Sequence, residues 1–255
     1  MMLQYTETGT DTGQPPVLIA HGLFGSGRNL GGLARRLGET RRVVLVDMRN
    51  HGDSFHDPDH SYPALAQDLA QVIDHIGGPA DLVGHSMGGK AAMCLALTRP
   101  DLVRRLVVLD IAPYAYDHSQ NGLIDAMEAT DLTGLRLRSE ADARLAQHIA
   151  DAGVRAFLLQ SLDMKAEPPR WKFNLAALRD QMPLITGWPR IETNGFDGPA
   201  LFLAGNESDY CRPQQCDAIG RHFPQAQIIH IPGAGHWLHA DKPAEIAEAV
   251  LSFLG

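Results

Sequence analysis

Short apolar runs alternate with amphipathic stretches along this chain. Six runs, PPVLIAHG (15–22), RRVVLVD (41–47), ADLVGH (80–85), LVRRLVVLDIA (102–112), GPALFLAG (198–205) and AQIIHIPG (226–233), are apolar almost throughout. Strands covered on both faces carry this pattern, because neither side of their pleat meets water. In the clearest amphipathic stretch Leu65, Leu69, Val72 and Ile76 recur at helical spacing, and Gly77-Gly78 supplies a C-terminal stop. The last helix opens at DKPAE (241–245), where Asp241 is placed to cap the first turn and Pro243 forfeits only an orphan N–H. Such alternation predicts an α/β fold, a mostly parallel sheet flanked by helices. LQYTET, near the N-terminus, would add an antiparallel edge strand.

One interval breaks the rhythm. Residues 113–197 hold no convincing strand but several helical patterns, among them EADARLAQHIADAGVRAFLLQSL and WKFNLAALRDQM. That length exceeds a simple crossover between two strands. The expected division is a core of residues 1–112 and 198–255, with 113–197 inserted as a helical cap. Ligands of open α/β sheets bind beyond the carboxyl ends of the strands, so an insertion leaving one such end would sit over the site as a lid.

The candidate chemistry lies at those ends. Gly84-His85-Ser86-Met87-Gly88 fits G-x-S-x-G, directly after a strand and before a helix. A sharp strand-to-helix turn strains its central residue, and glycines two positions to either side let the backbone pass. The turn would present the Ser86 hydroxyl and aim the Met87 N–H, at a helix N-terminus, where an oxyanion could form. A serine needs a base, and the base needs an orienting acid. Of 12 histidines, His236 stands out in the glycine-rich IPGAGHWLH after the last strand. His239 is expected to be partly exposed, His85 to pack beneath the turn, and His60 and His118 lie in polar loops. The acid is ambiguous between Asp110, which ends RRLVVLD, and Asp209 in AGNESDY, with Glu207 a weaker third candidate. A second oxyanion donor should come from His21-Gly22-Leu23-Phe24-Gly25, with Leu23 ahead of Phe24. Asp47, Arg49, Asn50 and His51 suit the tying together of a loop more than catalysis.

Composition narrows the function classes. A 255-residue chain with 44% hydrophobic residues fits one α/β domain with an insertion. The net charge of −8 gives no reason to expect nucleic acid or an anionic membrane as a partner. No apolar run is long enough to span a bilayer, and MMLQYTETGTDTG lacks the basic start and apolar core of a signal peptide, so a cytoplasmic location is expected. Three scattered cysteines make no disulfide framework and no zinc site; Cys94 should be a buried hydrophobe, Cys211 and Cys216 free thiols.

HGLFGSGRNLGGLARRL, VDMRNHGDSFHDP, GHSMGGKAAM, VVLDIAPYAY, WKFNLAAL and GAGHWLHADKP together resemble the α/β-hydrolase superfamily, and within it the small bacterial YbfF-type esterases and their mitochondrial relatives. Serine, acid, histidine is the chain order of that topology. The resemblance implies hydrolysis of short-chain carboxylic esters or thioesters, acyl-CoA among the candidates, without metal or organic cofactor. It also implies that the aspartate of LDIAP, here Asp110, is the acid. Members usually carry GGNSxY where this chain has AGNESDY, which keeps Asp209 as an alternative. Phe24, Trp171 and Phe173 are candidate substrate contacts; because WKFNLAAL reads as a helix, aromatics two apart should not face one way, with one packing the cap and the other free for the acyl site. The oligomeric state is left at monomer or homodimer. Carbon–carbon bond hydrolysis, perhydrolysis, acyl transfer and a non-catalytic binding role remain alternatives on the same fold.

Overall fold

A computed structural model of the chain describes residues 1–193 and 195–255. Strands β1 (Tyr5–Thr8), β2 (Val17–Ala20), β3 (Val43–Val46), β4 (Ala80–His85) and β5 (Val103–Leu109) precede the inserted interval. That interval holds two-residue strands β6 (Leu162–Asp163) and β7 (Arg170–Trp171), and β8 (Ala200–Gly205) and β9 (Ala226–Ile231) follow it. The main sheet has seven strands in the order β1-β3-β2-β4-β5-β8-β9. Only β1 is antiparallel, paired with β3 at the edge, as LQYTET suggested.

Helices α1 (Gly31–Leu37), α2 (Tyr62–Ile76) and α3 (Met87–Thr98) come from the first part of the chain. The interval supplies α4 (Asn121–Ala129), α5 (Arg138–Leu145), α6 (Ala152–Leu159), α7 (Leu175–Asp180) and α8 (Met182–Thr186), and α9 (Pro213–His222), α10 (Leu238–Asp241) and α11 (Pro243–Leu254) close the chain. Strand periodicity sorts the core into two layers. Val17 and Ile19 point to the side of α1 and α11, meeting Leu37, Val250 and Leu254. Leu18 and Ala20 point to the side of α2 and α3, meeting Leu65, Leu69 and Val72. Each such aliphatic side chain contributes roughly 1.5–3 kcal/mol through burial. The inserted helices join this second layer through Ile124, Met127, Leu158, Leu178, Met182 and Ile185.

Chain order reverses between β2 and β4: β3 lies outward of β2, whereas β5, β8 and β9 lie outward of β4 on the other side. A crevice opens at the carboxyl ends of strands where order reverses. The loop 21–25 and Ser86 leave those two ends. Among the described residues no helix is long and apolar enough to cross a membrane.

Four details depart from the sequence pattern. β9 is an edge strand with exposed Gln227, Ile229 and His230, so it is covered on one side rather than both. The interval is not purely helical, since β6 and β7 pair antiparallel. WKFNLAALRDQM is not one helix: Trp171 ends β7, and α7 starts only after Asn174, whose side chain caps it by accepting from the Ala177 N–H. Asp241 does not cap the last helix. It ends α10, and its Oδ2 accepts the Gly235 N–H at 2.9 Å, bracing the loop that carries His236.

Candidate active site

The turn after β4 holds Ser86 at φ 51°, a left-handed backbone value that a serine rarely adopts. Glycines make room for it. A Cβ on Gly84 would lie 2.5 Å from the Gly88 carbonyl oxygen, and one on Gly88 would lie 2.5 Å from those of Ala20 and His21. Among the described residues the other non-glycine positions with positive φ are Phe24, Asn50 and Asp110. Strain of this kind persists where surrounding structure over-determines it, and two of the four, Phe24 and Ser86, line one cavity.

Ser86, His236 and Asp110 meet there. His236 Nε2 lies 3.1 Å from Ser86 Oγ, and His236 Nδ1 lies 2.7 Å from Asp110 Oδ2. A carboxylate can only accept, so Nδ1 carries the proton and Nε2 offers its lone pair to the serine hydroxyl. Such an arrangement can move the hydroxyl proton to the imidazole while the carboxylate stabilises the cation formed. Asp110 is fully buried, and its charge is met from three sides: the His236 Nδ1–H, the Gly205 N–H to Oδ1 at 2.9 Å, and the Ser208 hydroxyl to Oδ2. A buried carboxylate without such donors is costly, and these three satisfy it.

Asp209 does not reach His236. Its side chain is 80% exposed and pairs with Arg212 on the surface, and Glu207 is exposed as well. The loop turns Ser208 inward, onto Asp110, and its acidic neighbours outward. Tyr210 stacks on the His236 ring with centroids 4.1 Å apart. His85 is buried beneath the turn as expected, and its Nε2 donates to the His236 carbonyl oxygen at 2.9 Å. His239 is half-buried against His85, and burial lowers its pKa to about 4.

Two backbone N–H groups flank the serine. Among the described residues nothing accepts from the N–H of Leu23 or of Met87. The N–H of Phe24, the other candidate donor, already donates to His51 Nε2 at 3.1 Å. The loop containing His51 is tied together as its sequence suggested: Asp47 accepts from the Gly27 and Asp53 N–H groups, and Arg49 makes a two-pronged pair with Asp68 on α2.

A cavity of about 370 Å³ opens above these groups. Leu23, Phe24, Ile111, Leu123, Val154 and Phe157 give it apolar walls. Phe24 is thus a wall residue, but Trp171 and Phe173 do not line the cavity. They stack on each other at 6.4 Å with planes 10° apart, and the Trp171 indole N–H donates to the Met127 carbonyl. The reason is period: extended backbone puts residues two apart on one face, where helical spacing would have separated them.

Lys90, one helical turn after Ser86, carries no signal in the sequence. It is 1% exposed, donates to the carbonyls of Thr186 and Gly187 at 2.9 and 2.6 Å, and lies over the Tyr116 ring at 4.7 Å. It joins α3 to the end of α8, and burial brings its pKa down to about 7. Ser208 and Tyr210 were also missed, although the Ser-x-Tyr of the family pattern survives at 208–210 and could have flagged them. Buried His60, whose Nε2 lies 3.2 Å from the Met87 sulfur, carried no sequence signal.

Comparison with known proteins supplies an independent line. The pattern of the alpha/beta hydrolase fold family matches residues 15–243. The chain is 43% identical, over 99% of its length and 85% of the relative's, to the sn-1-specific diacylglycerol lipase ABHD11 of Mus musculus. It is 42% identical to the esterase YbfF of Escherichia coli over 94% of this chain and 92% of that one. Among solved structures, a marine microorganism esterase superposes with a TM-score of 0.93 at 36% identity, covering 99% of both chains.

Proposed function

The chain belongs to the α/β-hydrolase family, and from that premise we propose that it is a serine hydrolase cleaving short-chain carboxylic esters or thioesters through an acyl-enzyme. The observation that carries this reading is the continuous hydrogen-bonded path from Ser86 Oγ through His236 to buried Asp110. Ser86 attacks the acyl carbonyl while His236 Nε2 takes its proton. The Leu23 and Met87 N–H groups, which have no acceptor among the described residues, receive the oxyanion. Protonated His236 returns its proton to the leaving alcohol or thiol, and Asp110 holds the ring in the required tautomer. Water, activated by the same imidazole, then frees the acyl group.

Residues 113–197 act as a cap in this reading. Val154 and Phe157 of α6 and Ile185 and Thr186 of α8 close the cavity over the serine. Its volume of about 370 Å³ supports small or slender acyl groups. Rates on p-nitrophenyl esters from acetate to palmitate test this. A fall in kcat/KM beyond the short chains is expected, and equal rates on acetate and palmitate would overturn the short-chain assignment. Parallel rates on acetyl-CoA and ethyl acetate divide thioester from ester use.

A further inference from the structure

His51 takes no part in the proton transfers above, yet it is fully buried beside the oxyanion-binding loop. Both ring nitrogens have partners whose roles are fixed. The Arg49 carbonyl oxygen, 2.9 Å from Nδ1, can only accept, and the Phe24 N–H, 3.1 Å from Nε2, can only donate. The ring is therefore the neutral Nδ1–H tautomer with its Nε2 lone pair on the Phe24 amide. That amide belongs to a residue at φ 58°, inside a turn closed by the Gly25 N–H on the Gly22 carbonyl at 3.0 Å. Leu23 lies in the same turn, so the acceptor that holds the 23–24 peptide also steadies the turn in which the neighbouring 22–23 peptide carries the Leu23 N–H.

The ring itself is gripped on several sides. His21 packs against one edge with centroids 5.2 Å apart, His60 lies 5.7 Å away, and Phe173 of the interval meets it at 5.5 Å. Backbone pairing joins His51 to Phe173, and the Asn174 N–H donates to the Asn50 carbonyl at 3.0 Å. Arg49, whose carbonyl holds Nδ1, is anchored by Asp68. A ring so confined cannot rotate to exchange its nitrogens.

We propose that His51 is a positioning residue: its unprotonated Nε2 holds the Phe24 amide so that the Leu23 N–H faces the oxyanion forming at Ser86. Without that acceptor the Phe24 N–H is buried and unpaired, and the whole 22–25 turn shifts to find it a partner, moving the Leu23 N–H off the serine. The loss falls on the transition state, because the ground-state ester needs neither donor as strongly.

This inference rests on the serine-hydrolase reading, and wild-type labelling of Ser86 by a fluorophosphonate tests that reading separately. Two variants then test His51. His51→Phe keeps a planar ring of similar size and removes the acceptor; His51→Gln restores an acceptor oxygen. On p-nitrophenyl acetate, His51→Phe should lose about 10² in kcat, the scale of one oxyanion donor, with KM nearly unchanged. An alkyl boronic acid, which forms a tetrahedral serine adduct, should bind the Phe variant more weakly by the factor lost in kcat/KM. His51→Gln should recover most of both. Equal rates in the Phe variant and wild type, or a loss carried in KM with boronate affinity unchanged, would overturn the proposal. If His51→Phe does not fold, nitrogen NMR of the wild-type imidazoles decides: a neutral Nδ1–H tautomer of His51 supports the assignment, and an Nε2–H tautomer contradicts it.

Discussion

The end of β5 and the loop after β8 lie side by side at the carboxyl edge, and each carries an aspartate. Asp110 is fully buried, strained at φ 50°, and ringed by three donors including His236. Asp209 is four-fifths exposed and paired with Arg212 in water. What separates them is the supply of buried donors, not distance along the chain or position in the sheet. A carboxylate fixed in a low-dielectric setting orients and stabilises an imidazolium strongly, whereas a solvated one is screened. The two regions also cooperate. β8 gives the N–H of its last residue, Gly205, and the loop after it gives the Ser208 hydroxyl to the acid at the end of β5, while keeping its own acid outside.

Substitutions can break this contrast in graded steps. Ser86→Ala sets the scale, with an expected loss of about 10⁵ to 10⁶ in kcat on p-nitrophenyl acetate and an unchanged fold by circular dichroism. Asp110→Asn should cost about 10³ to 10⁴, because the amide no longer selects the Nδ1–H tautomer. Ser208→Ala should cost about ten- to thirtyfold, the worth of one hydrogen bond to a buried charge, mostly in kcat. Asp209→Asn should change kcat by no more than about threefold, as expected for an exposed ion pair. Should Asp209→Asn prove more damaging than Asp110→Asn, the contrast between the two loops would be wrong.

Much of this arrangement was legible in the chain, for physical reasons. Apolar runs mark strands because both faces of a parallel sheet are covered, and paired glycines around Ser86 mark a turn too tight for side chains. The failures have physical causes too. β9 looked like its neighbours because an edge strand still buries one face, and local pattern does not say which strand is last. The 171–174 stretch reads as helix because its apolar spacing fits either period, and Asn174, whose side chain caps α7, marks where the helix in fact begins. Asp241 looked like a cap yet braces the His236 loop, a choice made by the backbone six residues earlier. Lys90 escaped notice because nothing in GHSMGGK announces the Thr186 and Gly187 carbonyls about a hundred residues away. Contacts between distant segments decided β9 and Lys90, whereas bonds within a few residues decided Asn174 and Asp241.

The central claim is that Ser86 forms an acyl-enzyme. Acid-quenching the Asp110→Asn variant during turnover of p-nitrophenyl acetate, in which both steps that use His236 are slowed, allows intact-mass and peptide mass spectrometry of what has accumulated. The account predicts a mass gain of one acetyl group, located on the peptide containing Ser86 and absent when Ser86 is alanine. An acetyl group on another residue, or unchanged hydrolysis by the Ser86→Ala chain with no adduct at all, would contradict it.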